Sequence, residues 1–367
     1  MDVVAEDEQV ALADFVGTQG KVDGGVRADG GDPEQGAQAA QRLGARPSGL
    51  TADRVRRAPR DRVSVDTCED LADPPERYRA CMNLQPAGTS IAVTGSTGQL
   101  GGRVARRLAE AGIPQLLLVR DVQRAPQLAR AGVTRCAFAE RDVIISALQG
   151  IPTVLMVSAS EAPDRLADHF TFVDAAAAAG VQHLVYTSFM AAAPDAVFTL
   201  ARDHWATEER IRASGMRYTF LRDNLYADFL PYMVGRDGVI RGPAADGRVS
   251  VVAQDDIADA ATAVLRDPKP HAGTTYSLTG PEALTLNEIA AILAEATGRE
   301  VTYHPETVDE AYASRAHYGA PDWQVDAWVS TYTAIAVAEL APVTGDIPAL
   351  TGHAATTVAD LLRQRPD

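Results

Sequence analysis

The fold is decided by one short stretch, Ile91-Ala92-Val93-Thr94-Gly95-Ser96-Thr97-Gly98-Gln99-Leu100-Gly101-Gly102-Arg103. An apolar run stops at Gly95, and a helical pattern of residues begins at Leu100. The glycines at 95, 98 and 101 have the spacing of a strand–turn–helix unit that holds a dinucleotide, written G-x-x-G-x-x-G instead of the commoner G-x-G-x-x-G. The alternative is a glycine-rich turn that binds no ligand.

A different physical requirement explains the glycine at each of these three positions. Gly95 can adopt the backbone angles of a tight turn, Gly98 has no side chain to hold a pyrophosphate away, and Gly101 lets the helix lie close to the strand. The first-turn N–H groups of the helix then point at the phosphates. The predicted cofactor contacts in this turn are Gly95, Ser96, Thr97, Gly98, Gln99, Leu100 and Gly101.

Composition and charge restrict the partners and the cellular compartment that we expect for this protein. The chain has 367 residues, 46% hydrophobic and 23% charged, with a net charge of −15. Such a surface repels phosphate backbones, so a nucleic-acid partner is not expected unless a local basic patch overrides the total. Three scattered cysteines, no apolar run of about 20 residues and an acidic start without a signal-peptide pattern favour a cytoplasmic protein without membrane segments.

Residues 1–88 differ from the rest, being dominated by Gly, Asp, Arg, Pro and Gln, and no hydrophobic period lasts long enough to build a core. We expect a low-order N-terminal extension. One hypothesis is that Met82 is the true initiator and that residues 1–81 are an upstream extension of the reading frame. The alternative is a genuine flexible tail.

Alternating strands and helices begin at Ser90 and predict a Rossmann-like, doubly wound parallel sheet over residues 89–223. The predicted strands are Ile91–Thr94, Gln115–Arg120, Val133–Phe138, Thr153–Ser158, His183–Thr187 and Tyr218–Arg222. The predicted helices are Leu100–Ala111, Ala125–Ala131, Asp142–Leu148, Pro163–Ala179 and Leu200–Ala213.

A looser pattern follows and predicts a smaller C-terminal α/β lobe, residues 224–367, over the carboxyl edge of the sheet. Thr285 and Glu288 form the pattern of a capping box at the start of one helix. The predicted elements are a helical segment Asp223–Val234, a loop Gly235–Arg248, strands Val249–Val252, Thr274–Leu278 and Val301–His304, helices Asp255–Leu265 and Thr285–Thr297, and mostly helix from Val308 to Leu362, broken near Gly319–Pro321 and Ala341–Gly352.

Four motifs carry a family resemblance: IAVTGSTGQLGG (91–102), LLVRDVQRA (117–125), VYTSF (185–189) and YTFLRDNLY (218–226). Together they resemble the NmrA-like branch of atypical short-chain dehydrogenases, and within it the bacterial NAD(P)H:quinone oxidoreductases and triphenylmethane reductases. The resemblance spans Ile91 to the C-terminus. It implies a Rossmann domain, a small substrate lobe and hydride transfer from a nicotinamide.

Arginines after the second strand bear on the choice of cofactor. An NADP site places Arg where an NAD site has an acidic group, and Arg120 and Arg124 are suited to clamp a 2′-phosphate. The resemblance also places Arg120 in the cofactor position. Asp121 between them is interpreted as the cap of a short helix. The predicted cofactor is therefore NADPH, with NADH open as the alternative, and the competing interpretation of both arginines is solvated surface charge.

Small residues follow the fourth and fifth strands, where ligands of such sheets bind. Ser158, Ala159 and Ser160, and then Thr187 and Ser188, are predicted to lie beside the ribose and nicotinamide. The alternative is that they are ordinary turn residues.

The chain lacks the Tyr-x-x-x-Lys pair of typical short-chain dehydrogenases, because Tyr186 is followed by Met190 at the Lys position. Tyr186 is interpreted as structural. In the related isoflavone-reductase type a Lys lies eleven residues before a Gly, and counting back from Gly215 places His204 there. His204 is thus a candidate proton donor or substrate-orienting residue. The alternative is a helix-surface His paired with Glu208, and no metal site is predicted.

Asn224 and Tyr226 are the other catalytic candidates. Asn224 follows the sixth strand and is suited to bond the substrate or the nicotinamide amide, while Tyr226 and Phe229 are suited to stack on a flat substrate or to form core contacts. We predict an NAD(P)H-dependent oxidoreductase, monomer or homodimer, that transfers hydride to a quinone or similar planar small molecule. The alternative is a non-catalytic, NADP(H)-sensing regulator.

Overall fold

The computed structural model describes residues 86–364. The predicted N-terminal extension lies outside the described residues except for its last three, and so does the predicted start at Met82. Those predictions therefore stay untested.

A parallel sheet of seven strands forms the centre of the described chain, in the order β3-β2-β1-β4-β5-β6-β9. Strand order reverses between β1 and β4, which both pair with neighbours in parallel, and this confirms the predicted Rossmann-like fold. The strands are β1 Ile91–Thr94, β2 Gln115–Val119, β3 Ala131–Arg135, β4 Thr153–Met156, β5 His183–Phe189, β6 Arg217–Asp223 and β9 Thr274–Leu278.

Helices cover both faces of this sheet. The face with Val93 packs against Val104 and Ile257, and the face with Ala92 packs against Ile144 and Phe172. Strands β1 and β4 are buried along their whole length, which explains why each is apolar at all positions except one threonine. The helices of this layer are α1 Gln99–Glu110, α2 Arg141–Leu148, α3 Arg165–Ala178, α4 Thr199–Ala213 and α5 Gln254–Arg266.

The seventh strand comes from the C-terminal part of the chain. Strand β9 has the predicted bounds, and its Thr274 pairs with Thr219 of β6. Helix α5 also joins this layer, since Arg107 of α1 makes ion pairs with Asp255 and Asp259. Residues after 223 therefore complete the Rossmann layer, while a domain boundary at 223/224 stays a prediction.

The remaining C-terminal residues surround a separate core that includes Ile240, Ile289 and Ile335. The capping box at Thr285 and Glu288 is present, as predicted. The elements are two small sheets, β7 Val239–Gly242 with β11 Thr302–Pro305 and β8 Arg248–Val249 with β10 Leu284–Thr285, and helices α6 Leu286–Thr297, α7 Val308–Arg315, α8 Asp322–Ala336 and α10 Val358–Gln364. Helix α9, Asp346–Thr351, instead packs against the central layer through Ile347.

Several predicted segments differ from the structure. The strand expected at Val249–Val252 is Arg248–Val249, and helix α9 lies inside the break expected at 341–352. The helix expected at Ala125–Ala131 is wrong: a 3₁₀ turn spans Val122–Arg124, and Ala131 already begins β3. Pro126 explains this, because the residue before a proline disfavours the helical region. The helical segment expected at Asp223–Val234 is a shorter 3₁₀ helix, Ala227–Met233, which contains Pro231. The loop expected at Gly235–Arg248 contains strand β7.

Within residues 86–364, none of the helices combines the length and the apolar character that crossing a bilayer requires.

Candidate functional site

The glycine turn lies at the carboxyl end of β1, beside the point where strand order reverses. Gly95 has a φ of +65°, and the Gly98 N–H donates to the Gly95 carbonyl at 3.0 Å. A Cβ on Gly101 would lie 2.4 Å from the Gly95 carbonyl oxygen, so only glycine allows this approach of helix to turn. Helix α1 starts at Gln99 without a side-chain cap, and its first-turn N–H groups have no partner inside the helix.

The hydroxyl groups of Thr94 and Ser96, beside the glycine turn, differ in whether they have a hydrogen-bond partner. Thr94 Oγ1 accepts a hydrogen bond from the Val157 N–H at 2.8 Å, which joins β1 to β4. Ser96 Oγ is buried and has no hydrogen-bond partner in the described part of the chain. An orphaned hydroxyl and open amides, behind a turn that admits no Cβ, fit the oxygens of a diphosphate.

Arg120 and Arg124 are both exposed, directly after β2. The Asp121 carboxylate between them accepts from the Gln123 N–H at 2.9 Å and caps the 3₁₀ turn, as interpreted from the sequence. Asp121 therefore caps its own turn, and the two arginines are exposed just after the end of the second strand.

The residues after β4 and β5 fall into two groups. Ser158, Ala159 and Ser160 are partly exposed, whereas Thr187 and Ser188 are buried. Thr187 Oγ1 accepts from the Ser158 N–H at 2.9 Å and so fixes the loop after β4. Ser188 Oγ donates to Glu208 Oε1 at 2.6 Å, and it is engaged in the protein interior.

His204 lies inside the protein, only 6% exposed. Its Nε2 is 2.9 Å from Arg165 Nη2, and its Nδ1 is 3.0 Å from Tyr186 Oη. A guanidinium only donates, so Nε2 is the acceptor, and Nδ1–H donates to the tyrosine. Burial, followed by the Arg165 charge, lowers the pKa of His204 well below its ordinary value, so the ring is neutral at physiological pH.

The same network supports the loop after β4. Arg165 Nε donates to the Ala159 carbonyl at 2.9 Å, and the Ala159 N–H donates to His169 Nε2 at 2.9 Å. The second nitrogen of His169 lies 3.0 Å from Thr207 Oγ1. Two residues of α3 thus bind the N–H and the carbonyl of Ala159, and His204 and Thr207 of α4 bind those two residues in turn.

The surface alternative for His204 does not hold, because Glu208 is fully buried and binds the Arg222 guanidinium at 2.8 and 2.6 Å. Both nitrogens of His204 already have partners, and its role as a proton donor stays a prediction. Tyr186 lies within β5 and is fully buried, in line with a structural role.

Asn224 is fully buried, and its amide joins distant parts of the chain. Nδ2 donates to Ser250 Oγ and to the Leu340 carbonyl, each at 2.9 Å, and Oδ1 accepts from the Leu225 N–H at 2.8 Å. These contacts favour a structural role, and a contact with substrate stays a prediction.

Tyr226 is partly buried and donates its hydroxyl to Asp223 Oδ2 at 2.5 Å. Burial raises the pKa of Asp223 to about 7. The Tyr226 and Phe229 ring centroids are 5.8 Å apart, and Phe229 packs against the C-terminal core, as one of the two interpretations expects.

Glu161 was not identified from the sequence. It directly follows the Ser158–Ser160 loop, and its Oε2 accepts from Gln324 Nε2 of α8 at 3.0 Å. Oε1 is buried, and the contacts of the carboxyl group with Gln324, Arg165 and Trp328 partly offset the effect of burial on its pKa. Burial raises the pKa of Glu161 to about 7, so this carboxyl exchanges a proton near neutral pH.

No signal in the sequence could have identified Glu161, because its partners lie more than 160 positions away on a helix of the C-terminal part.

A group of possible metal ligands also forms, namely Asp256, Asp259 and His353. Asp256 binds Thr356, Asp259 binds Arg107, and His353 Nδ1 lies 2.9 Å from the Ala354 carbonyl oxygen. All three already have protein partners, and we assign no metal.

Comparisons with known proteins agree with this geometry. Quinone oxidoreductase 2 of Escherichia coli is 32% identical over 280 residues, covering 74% of this chain and 96% of that protein. The NAD(P)H azoreductase of Xenophilus azovorans is 33% identical over 278 residues, with the same shares covered. The crystal structure of an NADPH-dependent quinone oxidoreductase from Escherichia coli, complexed with NADPH, matches with a TM-score of 0.69 and 31% identity over 74% of this chain and 98% of that one.

The sequence pattern of the NmrA-like family matches residues 88–315, which include the glycine turn, the buried Arg165–His204 network and the first part of the C-terminal region. The chain therefore belongs to the NmrA-like family.

Proposed function

We propose that the protein is an NAD(P)H-dependent oxidoreductase that transfers hydride to a quinone or a similar planar electrophile. The observation that carries the proposal is the turn at the end of β1, where Gly101 admits no Cβ and the buried Ser96 hydroxyl has no partner in residues 86–364. The quinone oxidoreductase and azoreductase relatives, 32% and 33% identical, support this reaction class.

The chain's own residues would hold the cofactor. The amides of the Gly95–Gly101 turn and Ser96 Oγ would bind the diphosphate. Arg120 and Arg124 would bind a 2′-phosphate, which favours NADPH, and the Ser158–Ser160 loop would lie beside the ribose and nicotinamide. A bound nicotinamide supplies the hydride.

We propose that His204 is a positioning residue. It keeps Arg165 directed at the Ala159 carbonyl, and a precise loop matters because hydride transfer depends on the distance between the reacting atoms. A reduced quinone oxygen can take its proton from solvent, so the reaction does not need a charged His204. The proposed setting is the cytoplasm, and the proposed partner is the small-molecule acceptor.

NADPH oxidation at 340 nm with a panel of quinones tests the proposal. Turnover with at least one quinone, at a rate well above that of a heat-inactivated sample, is the expected result. Absence of turnover, together with similar affinities for NADP⁺ and NADPH, would favour the NADP(H)-sensing alternative.

Arg120→Ala tests the choice of cofactor. Loss of a charge-assisted bond to the 2′-phosphate should weaken NADPH binding roughly ten- to a hundredfold and leave NADH binding within about threefold. Titration calorimetry measures both affinities. Arg141→Ala, at the exposed start of α2, is the control and should change neither affinity. Equal losses for both nucleotides would contradict the assignment of Arg120.

A further inference from the structure

An aspartate and a tyrosine form a hydrogen-bonded pair at the carboxyl end of β6. Asp223 is the last residue of this strand, pairs in register with Phe189 at the end of β5, and is only 2% exposed. Three positions further on, the Tyr226 hydroxyl donates to Asp223 Oδ2 at 2.5 Å. The cofactor contacts proposed above do not use this buried carboxyl group.

The pair lies in the half of the sheet that receives the nicotinamide in doubly wound folds. Such a sheet consists of two mononucleotide-binding halves, here β1 to β3 and β4 to β6, and a dinucleotide lies across the point between them. Arg120 follows β2 in the first half, so a 2′-phosphate bound there places the adenosine over the first half and the nicotinamide over the second. The end of β6 is therefore on the nicotinamide side of the glycine turn.

Contacts with α1 fix the segment after β6 relative to the glycine turn. Arg103, one turn after Gln99 at the start of α1, donates from Nη2 to Asp228 Oδ1 at 3.0 Å. Tyr226, two positions before Asp228, packs against the apolar cluster that contains Leu100 of the first turn of α1. The Tyr226 side chain therefore lies on the same face of the sheet as the helix that would hold the diphosphate.

The two groups of the pair differ in how readily they lose a proton. Burial raises the pKa of Asp223 to about 7, and burial together with the charge of Asp223 raises the pKa of Tyr226 well above its ordinary value. Asp228 and Tyr186 of β5 also act on the pair, and each raises the pKa of Tyr226 further. Asp223 therefore exchanges its proton near neutral pH, whereas Tyr226 stays protonated.

The protonation of Asp223 decides where the tyrosine hydrogen is directed. An ionised carboxylate only accepts, so it binds the hydroxyl hydrogen of Tyr226. A protonated carboxyl group can instead donate to Tyr226 Oη, and the tyrosine hydrogen can then bond an oxygen of another molecule. Since Tyr226 is partly exposed, that molecule can be a bound acceptor.

We propose that Tyr226 gives a proton to the reduced oxygen of the acceptor, and that Asp223 replaces the proton that the tyrosine has lost. This inference rests on the proposed function. A quinone that has accepted the hydride, with both of its electrons, carries a phenolate-like oxygen. This oxygen binds the Tyr226 proton as the tyrosine O–H bond breaks, the tyrosine oxygen takes the Asp223 proton, and the carboxylate recovers a proton from water.

The acidities of the groups favour this transfer. The net donor is the Asp223 carboxyl group, with a pKa of about 7, and the receiving oxygen resembles a phenol, with an ordinary pKa of about 10. Transfer of both protons in one step also avoids a free tyrosinate, whose formation burial opposes. Water can protonate the same oxygen more slowly, so the pair accelerates this step.

Single-turnover oxidation of bound NADPH by 1,4-naphthoquinone measures this step without product release. Tyr226→Phe keeps the ring and removes Oη, and Asp223→Asn keeps the shape and removes the acidic proton. Each should lower the rate at pH 6 about tenfold or more, while NADPH affinity stays within about threefold. The rate of the parent protein should fall as pH rises through about 7, because Asp223 ionises, and both variants should lack this dependence.

Tyr232→Phe is the matched control. Tyr232 is 59% exposed and lies six positions beyond Tyr226, on the 3₁₀ helix that follows it. Loss of this hydroxyl group should preserve the parent rate and its pH dependence. A thermal melt of each variant shows whether it is folded, and the pH dependence of the parent protein needs no substitution.

Binding of the quinone without turnover gives a second readout. NADP⁺ has no hydride to donate, so the complex of the protein with NADP⁺ and 1,4-naphthoquinone does not react. The Tyr226 hydrogen bonds the quinone oxygen only when Asp223 is protonated, so calorimetry should find about three- to tenfold tighter quinone binding at pH 6 than at pH 8. In Tyr226→Phe and Asp223→Asn the affinity should not depend on pH.

A Tyr226→Phe variant that keeps the parent rate at pH 6, or a parent rate that does not fall between pH 6 and pH 8, would overturn the proposed proton transfer. A protein that reduces quinones without these dependences contradicts this inference alone, and the proposed reductase stands. A protein that oxidises NADPH with no quinone contradicts the proposed reductase and the proton transfer, whereas a quinone affinity that still depends on pH and on Tyr226 would support the tyrosine as its hydrogen-bond donor.

Discussion

Thr94 and Ser96 are two positions apart in the chain, and their hydroxyl groups differ in hydrogen bonding. Thr94 Oγ1 accepts from a buried backbone N–H of the neighbouring strand at 2.8 Å. Ser96 Oγ is equally buried but bonds to nothing in residues 86–364. A buried polar atom without a partner costs stability, so one that persists points to a bond made with a ligand.

Ser96→Ala should therefore separate binding from stability. We expect NADPH to bind about five- to tenfold more weakly, because one hydrogen bond to the diphosphate is lost, while the free energy of unfolding stays the same or rises slightly. Calorimetric titration and urea unfolding measure the two quantities.

Thr94→Val is the matched control. It removes the acceptor of the Val157 N–H, and we expect it to lower the free energy of unfolding by about 1–3 kcal/mol. A Ser96→Ala variant as unstable as Thr94→Val would mean that the serine hydroxyl has a structural partner after all.

Single residues also show how far the sequence alone can lead. The glycine turn could be predicted because its parts are consecutive, and the chemistry of each position is local. The surroundings of His204 could not, because its partners Arg165 and Tyr186 lie 39 and 18 positions away. Those contacts depend on how α3, β5 and α4 pack, which no local pattern encodes.

Among the elements, the unit of β1, turn and α1 depends on one close approach. A Cβ at position 101 would meet the Gly95 carbonyl oxygen at 2.4 Å and its carbon at 2.6 Å, and both are backbone atoms that cannot rotate away. The turn and helix α1 are therefore packed too closely for a methyl group to fit at position 101.

Gly101→Ala should move the start of α1 away from the turn. We expect a loss of stability of about 1–3 kcal/mol from overpacking and at least a tenfold loss of NADPH affinity, because the amides no longer converge on the diphosphate. Urea unfolding and nucleotide titration check both effects.

Gly112→Ala makes a suitable control. Gly112 has a φ of +70°, but nothing lies within 4 Å of a Cβ added there. The substitution strains the backbone by roughly 1 kcal/mol without touching the turn, so NADPH affinity should persist. Similar losses of affinity in the two variants would show that general destabilisation is responsible.

Strands could be predicted better than segments shaped by local turn chemistry. The fully buried strand β1 and the partly exposed edge strand β9 have their predicted bounds, while a 3₁₀ turn capped by Asp121 replaces the helix expected at Ala125–Ala131. Pro126 is the local signal against that helix, because a proline disfavours the helical conformation of the residue before it.

For the whole molecule, the sequence predicts separate regions for cofactor and substrate with a boundary at 223/224, and the central sheet extends across that boundary. Strand β9 and helix α5 follow residue 223, yet they complete the central sheet and its cover. Glu161 likewise binds Gln324, which lies 163 positions further along the chain. Pairing between such distant segments leaves no periodic signal in the sequence.

Two buried carboxyl groups couple the stability of the whole molecule to pH. Burial raises the pKa of Glu161 to about 7 from its ordinary 4.5, and that of Asp223 to about 7 from 3.8. Between the ordinary pKa of each group and its raised pKa, the folded state binds more protons than the unfolded state. The free energy of unfolding therefore falls as pH rises through this range. Their favourable contribution is fully present below about pH 4 and is lost as pH rises through about 7.

Glu161→Gln removes one of these groups while keeping the size of the side chain and an acceptor for Gln324. At pH 5 the variant and the parent protein should melt at similar temperatures. At pH 8 the variant should melt higher by roughly 2 °C or more, because it has no carboxylate to ionise in a buried place. The net charge of −15 also penalises the folded state as pH rises, so the control is Glu295→Gln, which removes the same charge from an exposed position on α6. If Glu295→Gln raises the melting temperature at pH 8 as much as Glu161→Gln does, then general charge repulsion, and not burial of Glu161, sets the pH dependence.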